Sequence, residues 1–258
     1  MIPVIPIAFM MLRQGTMTAE NRVRDSILIP APYRAAPDDV TVSVIIIAYN
    51  EEKRLPATLA ALGNQTRPPD TIIVVDNESD DNTVNIALNA GAMVVSYPHH
   101  NISAMRNLGS QSCDGDILVF LDADTVPEST TIERIVEEIN LGYSLVYTNL
   151  VCTDNHVMSL ARYTAGIFYG ITHHDKPHGG LMAFHRSDFE SIRGFDENFV
   201  PGEPEDADIG IRTAQQFGSY SIKYLRDVYA GTSARRQEAE GYFSKFNGTY
   251  WAEQSIRG

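Results

Sequence analysis

The stretch VSVIIIA, residues Val42–Ala48, is almost entirely apolar and rich in β-branched side chains. An apolar run of this length without polar alternation predicts a β-strand that is buried on both faces. The runs TIIVVD (Thr71–Asp76) and ILVFL (Ile117–Leu121) have the same character, and Ala92–Tyr97 reads as a further strand. Strands buried on both faces are typical of parallel sheets covered by helices.

Each predicted strand is followed by a segment with helical signals. These segments are Pro56 with Ala57–Leu62, a helix capped by Ser79-Asp80-Asp81 and ending near Leu88, Ser103–Gln111, and a helix from the capping box Thr130–Glu133 to about Asn140. Strand and helix alternate four times, so we predict an α/β fold with a mostly parallel central sheet and helices on both faces. After about residue 150 the pattern changes, and we expect a substrate-side subdomain that includes a strand at Leu181–His185.

The first 40 residues are predicted to be an N-terminal extension or linker, followed by one domain over residues 41–258. The segment MIPVIPIAFMML is apolar but too short to span a bilayer, and PAPYRAAPDD (Pro30–Asp39) has the composition of a linker. We expect a disordered arm there, with a peripheral membrane anchor as the alternative.

The charge balance excludes one class of partner. The chain has 20 Lys+Arg against 33 Asp+Glu, which gives a net charge of −13. Binding to nucleic acid normally needs a basic face, so we expect no nucleic-acid partner. The two cysteines, Cys113 and Cys152, form no CxxC pair and are predicted to be reduced, which favours a cytoplasmic protein.

Polar clusters follow three of the predicted strands. They are Tyr49-Asn50-Glu51, Asp76-Asn77 and Asp122-Ala123-Asp124. In open α/β sheets, ligands bind outside the carboxyl ends of the strands, so these clusters predict one binding site. The first turn lacks the glycines of GxGxxG and GxxxxGK[ST], and neither a dinucleotide-binding nor a P-loop site is expected.

Asp122 and Asp124 are two residues apart at the end of a buried strand. Side chains at i and i+2 of a strand point to the same side, so the two carboxylates are predicted to converge. Two close negative charges favour a hard divalent cation between them, Mn²⁺ or Mg²⁺. The alternative is a capped, solvated turn without a metal.

Several segments resemble the family-2 glycosyltransferases of the GT-A fold. They are VSVIIIAYNEEKRLPATLAAL, DTIIVVDNESDDNT, SAMRNLGSQSCDGDILVFLDADT and GGLMAFHRSDFESIRGFDENF with GEPEDADIGIRT, and the resemblance runs from about Val42 to Arg236. It implies a GT-A domain with a nucleotide-binding half over about 41–126 and an acceptor half over about 127–258. It also implies a nucleotide-sugar donor and a glycan, lipid-linked or protein-linked acceptor, for a soluble or membrane-peripheral enzyme.

The resemblance also implies roles for individual residues on the donor side. Tyr49, Glu51 and Asp76 match positions that hold the base and ribose, and Arg106 matches an arginine near the nucleotide. Asp122 and Asp124 match the DXD motif, in which Asp124 is the expected metal ligand and Asp122 lies nearer the ribose or supports the metal. Arg235 and Arg236 match a basic segment that some members place over the diphosphate.

On the acceptor side, Asp206 matches the general base of inverting members, with Glu205 beside it. Gly179 and Gly180 resemble an acceptor-side loop, which His178 precedes. A simpler interpretation is that Glu205 and Asp206 only cap the helix that follows them.

The chain departs from the family pattern at two points. All seven histidines lie at or before His185, so the C-terminal metal-binding histidine of some GT-A enzymes is missing, and the diphosphate and water are expected to complete the metal's ligands. The Q-x-x-R-W motif of processive synthases is also missing, which favours the addition of a single sugar. A nucleotidyltransferase and a non-catalytic nucleotide-sugar-binding protein remain as alternative functions.

Overall fold

A computed structural model of the protein describes residues 40–153, 177, 179–199 and 204–233. The predicted extension lies outside the described residues apart from Val40, and so do His178, Arg235 and Arg236. The division into halves at about residue 126 stays a prediction, because the sheet runs without interruption through both halves.

The described residues form eight strands and six α-helices in an α/β order. The strands are β1 Val42–Ala48, β2 Thr71–Asp76, β3 Met93–Ser96, β4 Ile117–Asp122, β5 Val126–Pro127, β6 Leu145–Cys152, β7 Leu181–His185 and β8 Ile222–Thr232. The helices are α1 Leu55–Gly63, α2 Thr83–Asn89, α3 Ile102–Gln111, α4 Thr131–Asn140, α5 Arg186–Ser191 and α6 Glu205–Phe217, with a 3₁₀ turn at Ser219–Ser221 before β8.

All eight strands belong to one sheet in the order β3-β2-β1-β4-β7-β6-β8-β5. The pairs β1–β2, β2–β3, β1–β4 and β6–β8 are parallel. Strands β7 and β5 run against their neighbours, so the sheet is mostly parallel. This confirms the predicted sheet.

The sheet is buried on both faces, as the unbroken apolar strands require. Alternate residues of β1 divide between two cores: Val44 and Ile46 pack in one, and Ile45 packs in the other. The first core contains buried residues of α1 and α4, and the second contains buried residues of α3, α5 and α6. Helices therefore cover both faces, which confirms the predicted fold class.

One local expectation was wrong. The capping box at the start of α4 does not form: Thr130 precedes the helix without a side-chain cap, and Glu133 accepts a hydrogen bond from the Thr66 hydroxyl instead. Beyond β4, Val126 and Pro127 form a short strand that pairs with β8. Among the described helices, none combines the length and the apolar composition needed to cross a membrane.

Candidate active site

The carboxyl ends of the first four strands meet at one edge of the sheet. Ala48 lies opposite Asp76, Asp76 opposite Ser96, and Ile47 opposite Asp122. The three polar clusters singled out in the sequence therefore share one edge, where the chain turns from each strand towards its helix. This is the edge at which ligands bind in open α/β sheets.

Asp76 organises the turn after β2. Its Oδ2 accepts a hydrogen bond from the Ser79 backbone N–H at 3.0 Å, and its Oδ1 accepts one from the Ser79 hydroxyl at 2.6 Å. The same hydroxyl oxygen accepts the backbone N–H of Asn50, which has a left-handed φ of 53°. Asp76 is only 3% exposed, so its carboxylate binds its own turn and ties that turn to the one after β1.

Glu51 is buried in the turn after β1. Its backbone N–H donates to the Thr83 hydroxyl at 2.8 Å, and its carbonyl accepts from the Arg54 backbone N–H at 3.0 Å. These contacts join the turn to α2 at Thr83 and fix the backbone of Glu51.

A cavity of about 370 Å³ opens beside these turns. It is lined by Ile47, Ala48, Tyr49, Asn77, His100, Asn101, Ile102 and Met105. The Tyr49 side chain is half exposed, and its ring meets that of His100 edge to face at 5.1 Å. A half-exposed ring beside an apolar cavity can stack on a flat ligand. The sequence indicated Tyr49 but not His100, although His99 and His100 also follow a strand end.

A second group of side chains in the candidate site, beyond the cavity, surrounds Arg106. It lies on α3, and its side chain is 4% exposed. Nη1 donates to Glu205 Oε1 at 3.0 Å, and Nη2 lies 3.3 Å from Asp122 Oδ1 and 3.2 Å from the Gly179 carbonyl oxygen. One guanidinium therefore joins the end of β4, the start of β7 and the start of α6.

The charges around Arg106 shift the pKa of its neighbours. Burial raises the pKa of Asp122 to about 6; Arg106 opposes this shift, and the negative charges of Asp124 and Glu205 add to it. Burial lowers the pKa of Arg106, but Asp122, Glu205 and Asp206 outweigh burial and raise it overall. With 38% of its side chain accessible, Asp122 is still partly open to solvent. The site thus carries more negative charge than one arginine neutralises.

Asp206 is held by two backbone N–H groups. Gly179 donates to its Oδ2 and Ala207 donates to its Oδ1, both at 2.8 Å. Helix α6 begins at Glu205 after Pro204, which makes no side-chain cap. Glu205 and Asp206 therefore do not occupy the N-cap position, although Asp206 accepts one N–H of the first turn. They lie in the first helical turn, where negative charge is favourable.

Asp124 lies in the turn that ends β4, where the Thr125 N–H donates to the Asp122 carbonyl. Its Oδ1 accepts from the Thr232 hydroxyl of β8 at 3.4 Å. Its charge helps to raise the pKa of Asp122, and a divalent cation would relieve that repulsion. The carboxylate oxygens of Asp122 and Asp124 are of the ligand type that a hard metal ion prefers. Beyond this pair, the described residues contain no group of three or more His, Cys, Asp or Glu that could hold a metal ion.

The structure brings together most of the residues predicted from the sequence. Arg106, Asp122, Gly179, Glu205 and Asp206 form one hydrogen-bonded group. Tyr49, Glu51 and Asp76 lie at the ends of β1 and β2, and Gly180 accepts the Asp122 backbone N–H through its carbonyl. The contact of Thr232 with Asp124 was not anticipated.

A mostly parallel α/β sheet with acidic strand ends along one edge is the architecture expected of a GT-A glycosyltransferase domain. Residues 43–191, more than half of the chain, match the sequence model of glycosyl transferase family 2, and the chain belongs to that family.

Two curated relatives agree with this membership. An uncharacterized glycosyltransferase of Mycobacterium tuberculosis is 33% identical over 105 residues, which cover 41% of this chain and 46% of the relative. An undecaprenyl-phosphate 4-deoxy-4-formamido-L-arabinose transferase of Pseudomonas fluorescens is 35% identical over 118 residues, covering 42% of this chain and 34% of the relative. The chain therefore matches less than half the length of these relatives.

A solved structure agrees with the fold. Glucosyl-3-phosphoglycerate synthase from M. tuberculosis, in complex with Mn²⁺, UDP and glucosyl-3-phosphoglycerate, superposes with a TM-score of 0.57 at 22% identity. The superposition covers 75% of this chain and 71% of the synthase. At this identity the likeness establishes the shared fold alone.

Proposed function

We propose that the protein is an inverting glycosyltransferase that moves a sugar from a nucleotide-diphosphate donor to an acceptor hydroxyl. The observation that carries the proposal is the grouping around Arg106. It joins Asp122, at the strand edge expected to bind the donor, to Glu205, which adjoins Asp206 in the first turn of α6. A donor-side carboxylate and a candidate base thus belong to one hydrogen-bonded group.

The donor's nucleoside would bind along the ends of β1 and β2. The cavity beside Tyr49 and His100 suits a flat base, and its apolar lining contributes to binding by excluding water. The turn containing Asn50, Glu51 and Glu52 offers acceptors rather than phosphate-binding glycines. This argues against the nucleotidyltransferase alternative, which would need to hold a triphosphate there.

Asp206 would act as the general base. In the transfer step the acceptor oxygen forms a bond to the anomeric carbon, while the bond from that carbon to the diphosphate breaks with its electron pair on the diphosphate oxygen. Asp206, on the face opposite the leaving group, takes the acceptor proton, and attack from that face inverts the anomeric configuration. The N–H groups of Gly179 and Ala207 fix the orientation of the carboxylate.

Asp124 and Asp122 would hold the Mn²⁺ or Mg²⁺ ion. When bound, that ion supplies positive charge beside the diphosphate oxygens as the bond to the sugar breaks. The protein's own contribution is to keep two carboxylates at the end of β4, one bound to Arg106 and one to Thr232. Arg235 and Arg236 remain proposed as diphosphate contacts.

The acceptor is proposed from the relatives alone. One of them is named as an undecaprenyl-phosphate sugar transferase, so a lipid-linked acceptor is one choice, with a glycan or protein-linked acceptor as the others. A lipid-linked acceptor would bring the protein to a membrane surface, where peripheral contact stays a prediction.

Thermal unfolding with UDP, GDP or dTDP, each with and without Mn²⁺, tests the donor site. A ligand at a hundred times its Kd stabilises the folded state by about 2.7 kcal/mol, which for a chain of this size raises Tm by about 5–10 °C. We expect such a rise with one nucleotide and a larger rise with Mn²⁺. Absence of any rise with all three nucleotides would overturn the donor-site proposal.

Asp206→Asn tests the base. We expect it to lose at least about 100-fold in the hydrolysis or transfer of an active nucleotide-sugar, the usual scale for a general base, while nucleotide binding is kept. The matched control is Asp208→Asn, which also removes one negative charge from the first turn of α6. An Asp206→Asn variant with wild-type activity would remove Asp206 as the base.

A further inference from the structure

The turn between α5 and α6, residues 192–197, is bound tightly by α3. The Asn107 side chain makes a paired contact with the backbone of Phe195: its Oδ1 accepts the Phe195 N–H at 2.9 Å, and its Nδ2 donates to the Phe195 carbonyl at 2.9 Å. Nδ2 also donates to Glu197 Oε1 at 2.8 Å. Both amide hydrogens and the amide oxygen of Asn107 are thus used on this one turn.

The same turn is bound by α6 from its other side. Arg212 Nη1 donates to the carbonyls of Ile192 and Gly194 at 2.7 and 2.8 Å, while its Nε donates to Asp208 Oδ2 at 2.7 Å. The turn therefore links α3 to α6 without passing through the sheet. Helix α3 carries Arg106, and α6 carries Glu205 and Asp206.

Phe195 connects this turn to the candidate site. Its ring lies beneath the Arg106 guanidinium, with 5.1 Å between Cζ and the ring centroid. Phe195 is 2% exposed and packs edge to face on Phe120 of β4 at 5.1 Å. The ring therefore supports the arginine from below, and a cation–π contact of this kind is strengthened by burial.

Gly194 permits the close approach of α3 to the turn. Its φ is +66°, and a Cβ at this position would lie 2.6 Å from Asn107 Oδ1 and 3.1 Å from the Phe189 ring. A side chain here would displace the amide that holds Phe195. The contact between Asn107 and the turn thus has little freedom to shift.

We propose that Asn107 is a positioning residue that acts through Phe195 on Arg106, and through Arg106 on Glu205 and Gly179. Gly179 in turn donates to Asp206. This inference rests on the proposed function, because it assigns a role in placing the candidate base. Asn107 itself contacts the turn rather than the site, so it sets geometry and takes no part in proton transfer.

Asn107→Ala tests this role, with Ser110→Ala as the matched control. Ser110 is also buried on α3, and its hydroxyl donates to the Asn107 carbonyl within the helix. We expect Asn107→Ala to lower kcat for nucleotide-sugar hydrolysis about 10- to 100-fold, the scale of a displacement approaching 1 Å. KM for the donor and Kd for UDP should change less than kcat, because Asn107 itself is not among the residues that line the cavity beside Tyr49 and His100. Ser110→Ala should keep kcat.

Hydrogen exchange of the Gly179 amide, measured by NMR, provides a readout that needs no turnover. We expect this amide to exchange at least about tenfold faster in Asn107→Ala than in the wild-type protein, while β1 amides keep their protection. Unchanged Gly179 exchange in Asn107→Ala would overturn the positioning role, and so would unchanged kcat.

Two further outcomes need separate treatment: a variant that does not fold, and a failure of the proposed function. If Asn107→Ala does not fold, Phe195→Leu replaces it, because leucine keeps the apolar contact with Phe120 but removes the ring beneath Arg106; the same faster Gly179 exchange is expected. If the wild-type protein hydrolyses no nucleotide-sugar, the proposed function fails, and the exchange of Gly179 alone decides whether Asn107 positions the residues around Arg106.

Discussion

Gly109 lies on the face of α3 that packs against β1 and β2, one turn after Arg106. A Cβ added at Gly109 would lie 2.3 Å from Ile45 Cγ2 and 3.1 Å from Val75 Cγ2. Ordinary contact begins at 3.4 Å, so Gly109→Ala forces a movement of about 1.1 Å between helix and sheet. Ile45 is buried and β-branched in a central strand, and its methyl group has little room to rotate away.

Two opposing effects set the size of the change. Overpacking a close-packed core costs about 1–3 kcal/mol, whereas replacing glycine by alanine within a helix gains about 1 kcal/mol. We therefore expect Gly109→Ala to unfold with a free energy about 1 kcal/mol lower than the wild-type protein. Because α3 carries Arg106, displacement of the helix should also reduce nucleotide-sugar hydrolysis by about tenfold.

Urea unfolding followed by circular dichroism measures the free energy, and Gly63→Ala is the matched control. Gly63 is exposed on α1, and a Cβ there would meet no atom within 4 Å. We expect Gly63→Ala to be more stable than the wild-type protein by about 0.5 kcal/mol, with unchanged activity. If Gly109→Ala were as stable as Gly63→Ala, the close packing of α3 on the sheet would be refuted.

Three further predictions concern single residues. Arg106→Lys keeps the charge but loses the fork that joins Asp122 and Glu205, so we expect at least about tenfold lower kcat and, in thermal scans, a lower Tm. Removing metal with EDTA should lower the UDP-induced rise in Tm, and Asp124→Asn should reduce the response to added Mn²⁺; an unchanged response would exclude Asp124 as a ligand. The backbone N–H and the hydroxyl of Thr41 lower the pKa of Asp116, so the stability that this carboxylate contributes is present above its unfolded pKa and is lost as pH falls through its folded pKa. Asp116→Asn should thus cost about 0.5–1 kcal/mol at pH 7, and urea unfolding should show this difference shrinking as pH falls below the ordinary pKa of an aspartate.

The fold could be predicted where one local signal dominated. β1 and β2 have the predicted bounds because each is an apolar run buried on both faces. β8 was not predicted, and its sequence explains why. Its register against β6 skips from Leu225 to Tyr229, and the intervening Arg226 and Asp227 are exposed. The irregularity breaks the alternation by which strands are identified.

The candidate site could also be predicted only in part. Its acidic residues stand at strand ends or at the start of a helix, and the family resemblance gave their expected roles. Their hydrogen-bond partners could not be predicted from the sequence, because Arg106 and Glu205 are 99 residues apart in the chain, and Asp124 and Thr232 are 108 residues apart. Such contacts depend on where β7 and β8 lie in the sheet, and the spacing of residues in the sequence does not predict these positions. The support of Arg106 by Phe195 was missed for this reason.

The hydrogen bond from Gly179 to Asp206 has a consequence for how the site tolerates mutation. Its donor is a main-chain N–H, so proline at position 179 would remove it, and any other side chain there would place its Cβ 3.3 Å from Asp206 Oδ2. The carbonyl of the same residue accepts a hydrogen bond from the Arg106 side chain, and any replacement of that arginine alters this contact. Substitution of Gly179 would therefore change both the N–H and the space beside Asp206, and it would not separate the two effects. Replacing the amide of residue 179 by an ester would reveal its contribution.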